Sequence, residues 1–429
     1  MNRTTSSPRG GLGQWLASSI NELALTFWTS TSFYLMYVTG GHNEFVLFFP
    51  LAAGVPLFLW LTWNKPVIAR VDPVMTAGVF LLVFSILGSY LFNIDNYEPI
   101  FMLGNIGASL VLFFTLYLIV MKIEIDLWKL LLFQSIYIDL LLPVVIHNST
   151  MVWGRLEPFE LQANFPPMMG VCAMFGALSM RNLFAAGALA ALPLYTMLMM
   201  QSRASIIATS AAITIVVVNY LWQHRSKEMM KRFGVAFVFG GIIVVGAALA
   251  GYSIFDVIGN LVNKVLLLDD DQRGMGTGGS GRSDLWAAAY NLWAAHPLFG
   301  VGFKGHPNFM PDHMVAHNAF LGLLADNGLV GLFGYLLIIA VAGFYIIKRG
   351  GKGQTMFGQR AAIIFPYFLY GMVESRAFSF GNTYSVLFLL VAFDSAKHRV
   401  AKSLTPKPAT TVNRTQEPQR APTVGTLSR

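Results

Sequence analysis

The chain has 429 residues, 55% hydrophobic and only 12% charged, with a formal net charge of +8 and a mean hydropathy of +0.58. Soluble globular chains carry about 25% charged residues, so this composition excludes a soluble protein. It also makes nucleic acid a poor explanation of the positive charge. The length holds roughly a dozen membrane spans of about 20 residues each.

Twelve apolar segments follow in chain order: about 21–39, 44–63, 74–93, 101–121, 127–147, 164–180, 183–200, 204–222, 233–251, 318–347, 361–375 and 379–396. Each suits a membrane helix, in which a lone Gly or Pro is tolerated. The stretch 318–347 is too long for one plain span. Its first turns, His317 to Asn327, are expected either to lie at the surface or to form a helix broken at Gly328. No apolar core followed by a small-residue cleavage site precedes Ile20, so no cleavable leader is expected. The single cysteine, Cys172, lies inside an apolar segment and reads as a small buried hydrophobe.

Lys and Arg fix the orientation. With the N-terminus inside, 22 of the 29 fall on the inner side and 7 on the outer side. Short inner loops such as His224-Arg225-Ser226-Lys227 and Lys348-Arg349 carry the bias, as the positive-inside rule requires. Both termini are then cytoplasmic. The expected organisation is an inner N-terminus at 1–20, nine spans over 21–251, a large outer loop at 252–316, three spans over 317–397 and a cytoplasmic tail at 398–429. The tail is rich in Pro, Thr, Arg and Lys and reads as disordered. The fold class is an all-α polytopic membrane protein of about 12 helices with one large, partly helical outer loop.

That loop, from about Gly251 to Ala316, is the only extended polar stretch between the first and last spans, so chemistry at the membrane surface is expected there. It leads into Asp312-His313-Met314-Val315-Ala316-His317-Asn318. His317 is its foremost candidate, because the imidazole titrates nearest neutral pH. His313 and His317 would share a face if helical and could then hold a metal. Asp312 aside, no carboxylate or Cys completes the ligand set, and no metal is expected. The triplet Asp269-Asp270-Asp271 could bind a cation as in metal-dependent glycosyl transfer, but reads rather as a solvated turn.

Seven basic residues remain on the depleted outer side: Arg155, Arg203, Lys264, Arg273, Arg282, Lys304 and Arg376. Arg203 stands at the outer start of the eighth span, where free N–H groups and the helix dipole already favour an anion. A guanidinium there points to phosphate. Arg282 ends the Gly-rich run Gly276-Thr277-Gly278-Gly279-Ser280-Gly281, which reads as flexible. Leu285 to Trp293 then has helical spacing, with Ser283 or Ser280 as the cap. This helix suits the membrane interface, where Trp and Tyr sit well. Within the spans Asp139 is the notable acid, either functional or hydrogen-bonded inside the bundle.

Three runs together carry a likeness. They are Arg282-Ser283-Asp284-Leu285-Trp286, then His296-Pro297-Leu298-Phe299-Gly300-Val301-Gly302, then His317-Asn318-Ala319-Phe320-Leu321 followed by Asp326-Asn327-Gly328-Leu329-Val330-Gly331. The pattern resembles the O-antigen ligase and polymerase superfamily, and the twelve-span layout with a late outer loop is similar too. The resemblance implies a GT-C-like glycosyltransferase of the bacterial inner membrane with its site on the periplasmic face. It implies transfer of a glycan from undecaprenyl pyrophosphate to the lipid A core, with no cofactor and no required metal. By the same resemblance Arg203 and Arg282 match pyrophosphate-binding arginines and His317 an essential histidine. His313, Lys304, Arg155 and Asp139 are secondary candidates. Where the family often has Glu, this chain has Asp326.

An O-antigen polymerase or a protein O-oligosaccharyltransferase of the same superfamily would share these motifs and differ in acceptor. A twelve-span transporter or flippase would instead show half-to-half symmetry and more ionisable groups near the midplane. Only Asp139 lies there, and no internal repeat is evident.

Overall fold

The computed structural model describes residues 12–38, 55–56, 58–152, 155–158, 165–180, 182–223, 278–350, 356–375 and 382–400. The helices, in chain order, are α1 (Leu12–Ala17), α2 (Ile20–Val38), α3 (Pro73–Leu91), α4 (Pro99–Lys122), α5 (Leu127–His147), α6 (Phe165–Ser179), α7 (Leu183–Met199), α8 (Arg203–Gln223), α9 (Gly278–Ala295), α10 (Ala319–Gly350), α11 (Phe357–Val373) and α12 (Thr383–Ser395). All but α1 and α9 have bounds within about four residues of an apolar run expected from sequence. The run 233–251 and most of 44–63 lie outside the described residues, as do Lys264, Asp269 to Asp271, Arg273, Arg376 and the tail beyond Val400.

Five of these helices, α3, α4, α5, α8 and α10, are long and apolar enough to cross a membrane, and α6, α7 and α12 are shorter apolar helices. Large apolar side chains stand exposed along the spans, among them Phe80, Leu91, Leu103, Leu140, Leu183 and Phe184. Water would penalise such a surface, whereas acyl chains solvate it. The chain is a membrane protein. Helix starts are set by local chemistry. Asp72 caps α3 by accepting from the Val74 N–H at 2.8 Å, with Pro73 next to it. Asn182 and Asn382 cap α7 and α12 in the same way. A side-chain acceptor at these positions satisfies amides that the first turn leaves open.

Two small antiparallel ribbons complete the fold. Strand β1 (Ala69–Val71) pairs with β4 (Lys397–Arg399), and β2 (Ser149–Val152) with β3 (Arg155–Pro158). The first ties the start of α3 to the end of α12. Arg349 donates there to the carbonyls of Ser395 and Lys397 at 2.7 and 2.8 Å.

The pair that positions the site is α3 against α10. A Cβ on Gly334 would lie 2.8 Å from the Gly78 carbonyl oxygen, so the two backbones pass in direct contact. Small residues at a crossing allow this close approach in membranes. Deeper in the bundle, the Tyr335 hydroxyl donates to Tyr367 at 3.0 Å and the Tyr367 hydroxyl to Ser385 at 2.9 Å. That chain joins α10, α11 and α12 without an exposed polar group.

Candidate functional site

The site is built where two stretches far apart in the motif block fold onto each other. α10 is broken at Gly328, whose φ of 63° and ψ of −164° are open essentially to glycine alone. This is the second of the two outcomes expected for 317–327. The break frees backbone groups, and the segment after α9 takes them up. The N–H groups of Val301 and Gly302 donate to the carbonyls of Ala325 and Asp326 at 2.9 and 3.0 Å. In return the Leu329 N–H donates to the Pro297 carbonyl at 2.9 Å. Gly300, with φ +67°, leaves no room for a side chain: a Cβ would lie 2.3 Å from the Ala325 oxygen.

The corner between α3 and α4 holds this knot from the other side. The Tyr97 hydroxyl donates to the Val301 carbonyl at 2.7 Å, and the Tyr90 hydroxyl to that of Phe303 at 2.6 Å. The Asn93 side-chain amide donates to the Gly300 carbonyl at 3.1 Å. Tyr97 lies close enough to Gly302 and Gly305 that neither can carry a Cβ. Burial and the nearby Asp326 carboxylate hold the Tyr97 phenol above its ordinary value.

Asp326 itself is buried in the first segment of α10. Its Oδ1 accepts the His306 backbone N–H at 2.7 Å and meets His306 Nδ1 at 2.9 Å. The far ring nitrogen of His306 accepts the Ala316 N–H at 3.4 Å. Burial lowers the His306 imidazole, but the Asp326 charge and hydrogen bond prevail and raise it above its ordinary value. Lys304 lies nearby, with its Nζ 5.4 Å from the centre of the Phe303 ring. Burial pulls its ammonium down to about 8, against the opposing pull of Asp326.

His317 follows Ala316 directly, with φ 48°. Lys304, Asp312 and His313 also have left-handed φ, so four non-glycine residues of one short loop share this sparsely populated region. Strain of this kind collects where a loop must present particular groups. Asn318 then caps α10, its Oδ1 accepting from the Phe320 and Leu321 N–H groups, each at 3.0 Å. His313 is exposed and stands at the end of a short 3-10 turn, not on a helix with His317. The shared helical face considered for this pair does not form, because left-handed residues break the run. Among the described residues no group of three His, Cys, Asp or Glu could hold a metal ion.

Arg282 is the fifth residue of α9. The sequence suggested a flexible Gly run capped at Ser280 or Ser283, but Gly278 to Gly281 are already helical. The face of α9 that begins at Leu285 explains this. Leu285 and Ala289 pack with Met310 and Ala316, and Leu321 covers them. Tertiary packing of that kind outweighs the modest cost of glycine in a first turn. Arg282 is three residues before Leu285, so it shares that face one turn, about 5 Å, along. The segment next to His317 therefore packs on the helix that carries Arg282. Arg282 Nη1 donates to the Val373 carbonyl, at the last residue of α11, at 3.3 Å.

Arg203 opens α8, as expected, after a tight turn through Gln201 (φ 50°). α8 packs along α11, and Asn219 near the end of α8 touches Gly358 at the start of α11. The two helices therefore run antiparallel. Sixteen residues back from Asn219 is Arg203, and sixteen on from Gly358 is Glu374. Each step is about 24 Å along a straight helix, so the start of α8, which Arg203 opens, lies toward the end of α11. Arg282 reaches the residue before Glu374. Arg282 and the start of α8 thus lie toward the same end of α11, and Glu374 is buried there.

The secondary candidates are more scattered. Arg155 starts β3 of the second ribbon, opposite Val152. Asp139 lies midway along α5, and its buried Oδ1 has no donor among the described residues. Neither is joined to the Arg282–His317 region by a contact described above. His306 was passed over by the sequence reasoning, although Gly300, Gly302 and Gly328 signalled a tight backbone crossing beside it.

Residues 188–336 match a family described as O-Antigen ligase. The match spans α8, Arg203, Arg282, the strained loop, His317 and the Gly328 break. It agrees with the resemblance drawn from the motif runs. No curated protein matches the chain.

Proposed function

We propose that this membrane chain, whose residues 188–336 match the O-antigen ligase family, is a glycosyltransferase that moves a glycan from undecaprenyl pyrophosphate to the lipid A core. The reaction takes place on the periplasmic face of the bacterial inner membrane, with both termini of a twelve-span bundle in the cytoplasm. In this reading an acceptor sugar hydroxyl attacks the anomeric carbon and gives its proton to His317. The bond from that carbon to the phosphate oxygen breaks, and undecaprenyl pyrophosphate leaves. Direct displacement inverts the anomeric centre.

His317 as general base contributes about 10²–10⁴ in rate. Arg203 and Arg282 hold the diphosphate, in charge-assisted hydrogen bonds that strengthen as its charge grows. One observation carries the reading. Arg282 reaches the last residue of α11, the segment bearing His317 packs on the helix of Arg282, and α8, which Arg203 opens, packs along α11. A pyrophosphate and a base must be neighbours in this chemistry, and this packing supports the reading. The strained loop adds support, because a base must be aimed and a relaxed loop does not aim it.

The test is transfer by purified protein from a polyprenyl-pyrophosphate-linked glycan, offered lipid A core, a second repeat unit or a pilin-like peptide, with and without EDTA. Product on lipid A core alone, unchanged by EDTA and formed without a gradient, is the expected result. Product on the repeat unit or the peptide would make the chain a polymerase or a protein glycosyltransferase of the same superfamily. No product with any acceptor, together with gradient-driven substrate movement, would make it a transporter.

A further inference from the structure

We propose that His306 is a positioning residue for His317, fixing through Ala316 the strained turn on which His317 stands. The inference rests on the reading of His317 as the base, and it adds a residue that the motif runs do not single out. Three observations support it. Asp326 Oδ1 takes both the backbone N–H and the ring Nδ1 of His306, at 2.7 and 2.9 Å, which fixes the ring against α10. In the neutral ring, above the pH at which His306 gives up its proton, the proton on Nδ1 leaves the opposite nitrogen an acceptor, and it faces the Ala316 N–H at 3.4 Å. A Cβ on Gly322 would come within 3.3 Å of His306 Cε1, so the ring is wedged under the first turn of α10.

The ring therefore spans from the carboxylate before the Gly328 break to the peptide before His317. His317 has φ 48° and Asn318 begins the capped helix. The backbone between Ala316 and Asn318 is thus held on one side by His306 and on the other by the Asn318 cap. A side chain on such a turn is aimed by whatever fixes the turn. An error of about 1 Å in a reacting group costs about 10²-fold in rate. His306 is buried and engaged with Asp326 and Ala316, so its proposed contribution is to the geometry of His317.

The experiment compares His306→Leu, His306→Gln and His317→Ala in purified full-length protein. It measures kcat and KM for a polyprenyl-pyrophosphate-linked glycan with lipid A core as acceptor, together with melting temperature. His306→Leu is expected to lower kcat by about 10–100-fold with donor KM unchanged. His306→Gln keeps an amide acceptor for Ala316, so it should regain much of that loss. Gly322→Ala presses on the ring and should lower kcat in the same sense, and it serves if His306→Leu does not fold. Wild-type kcat in His306→Leu with an inactive His317→Ala would overturn the positioning role alone. A loss of kcat that only tracks the melting temperature, with no rescue by glutamine, would overturn it too. An active His317→Ala would overturn both this role and the base assignment beneath it.

Discussion

Val301 and Ala325 are joined backbone to backbone, the Val301 N–H donating to the Ala325 carbonyl at 2.9 Å. They stand 24 positions apart in the chain, His306 and His317 lie between them, and the helix of Arg282 packs on the segment they enclose. The pairing needs Gly328 in a conformation that side chains do not reach, and a Cβ there would sit 2.2 Å from the Leu298 carbonyl. Gly328→Ala should therefore cost several kcal/mol, well above the roughly 1 kcal/mol of an ordinary substitution. A lower melting temperature with loss of transfer is expected. A melting temperature equal to that of wild type would show that the break in α10 is not required.

Arg203 and Arg282 test whether fork geometry or charge alone binds the diphosphate. Guanidinium offers paired donors to a phosphate, and ammonium offers a single point charge. Arg203→Lys and Arg282→Lys should each lower kcat/KM by about 10-fold or more, since loss of a charge-assisted pair costs about 1.5–3 kcal/mol. Steady-state kinetics with the lipid-linked donor gives the number. Lysine variants at full activity would leave these arginines without the proposed role.

His306 and Asp326 make stability depend on pH in a defined direction. The folded imidazole lies above its ordinary 6.5, because Asp326 outweighs burial. The folded state therefore holds the proton more tightly than the unfolded chain. The stabilisation is complete below 6.5 and is lost as pH rises through the raised folded value. Melting temperature should fall over that window in the wild type. Asp326→Asn removes the charge and should flatten the dependence there. An unchanged profile in Asp326→Asn would mean that some other group sets it.

The helices were legible in the sequence because an apolar run of membrane length has few other uses. The run at 127–147 coincides with α5, and Arg203 falls at the start of α8 as expected. The break at Gly328 was legible as one of two outcomes, since glycine inside an overlong apolar run marks a change of backbone. The start of α9 was not. Glycines at 278–281 suggest flexibility, and only the packing of Leu285 and Ala289 on Met310 and Ala316 shows why they are helical. The His306–Asp326 pair was also hidden. Its partners are twenty residues apart across a helix break, and no periodicity connects them. In the sequence Asp326 only stands where the related motif often has Glu, whereas in the fold it binds an imidazole. The left-handed backbone at Lys304, Asp312, His313 and His317 has no signature in composition at all.

The most direct measurement is single-turnover transfer by His317→Ala, set beside its affinity for the polyprenyl-pyrophosphate-linked glycan. Transfer should disappear while donor affinity stays within about 2-fold of wild type, because the arginines that hold the diphosphate are intact. Transfer at the wild-type rate would contradict the assignment of the base, and with it the shared site at the end of α11.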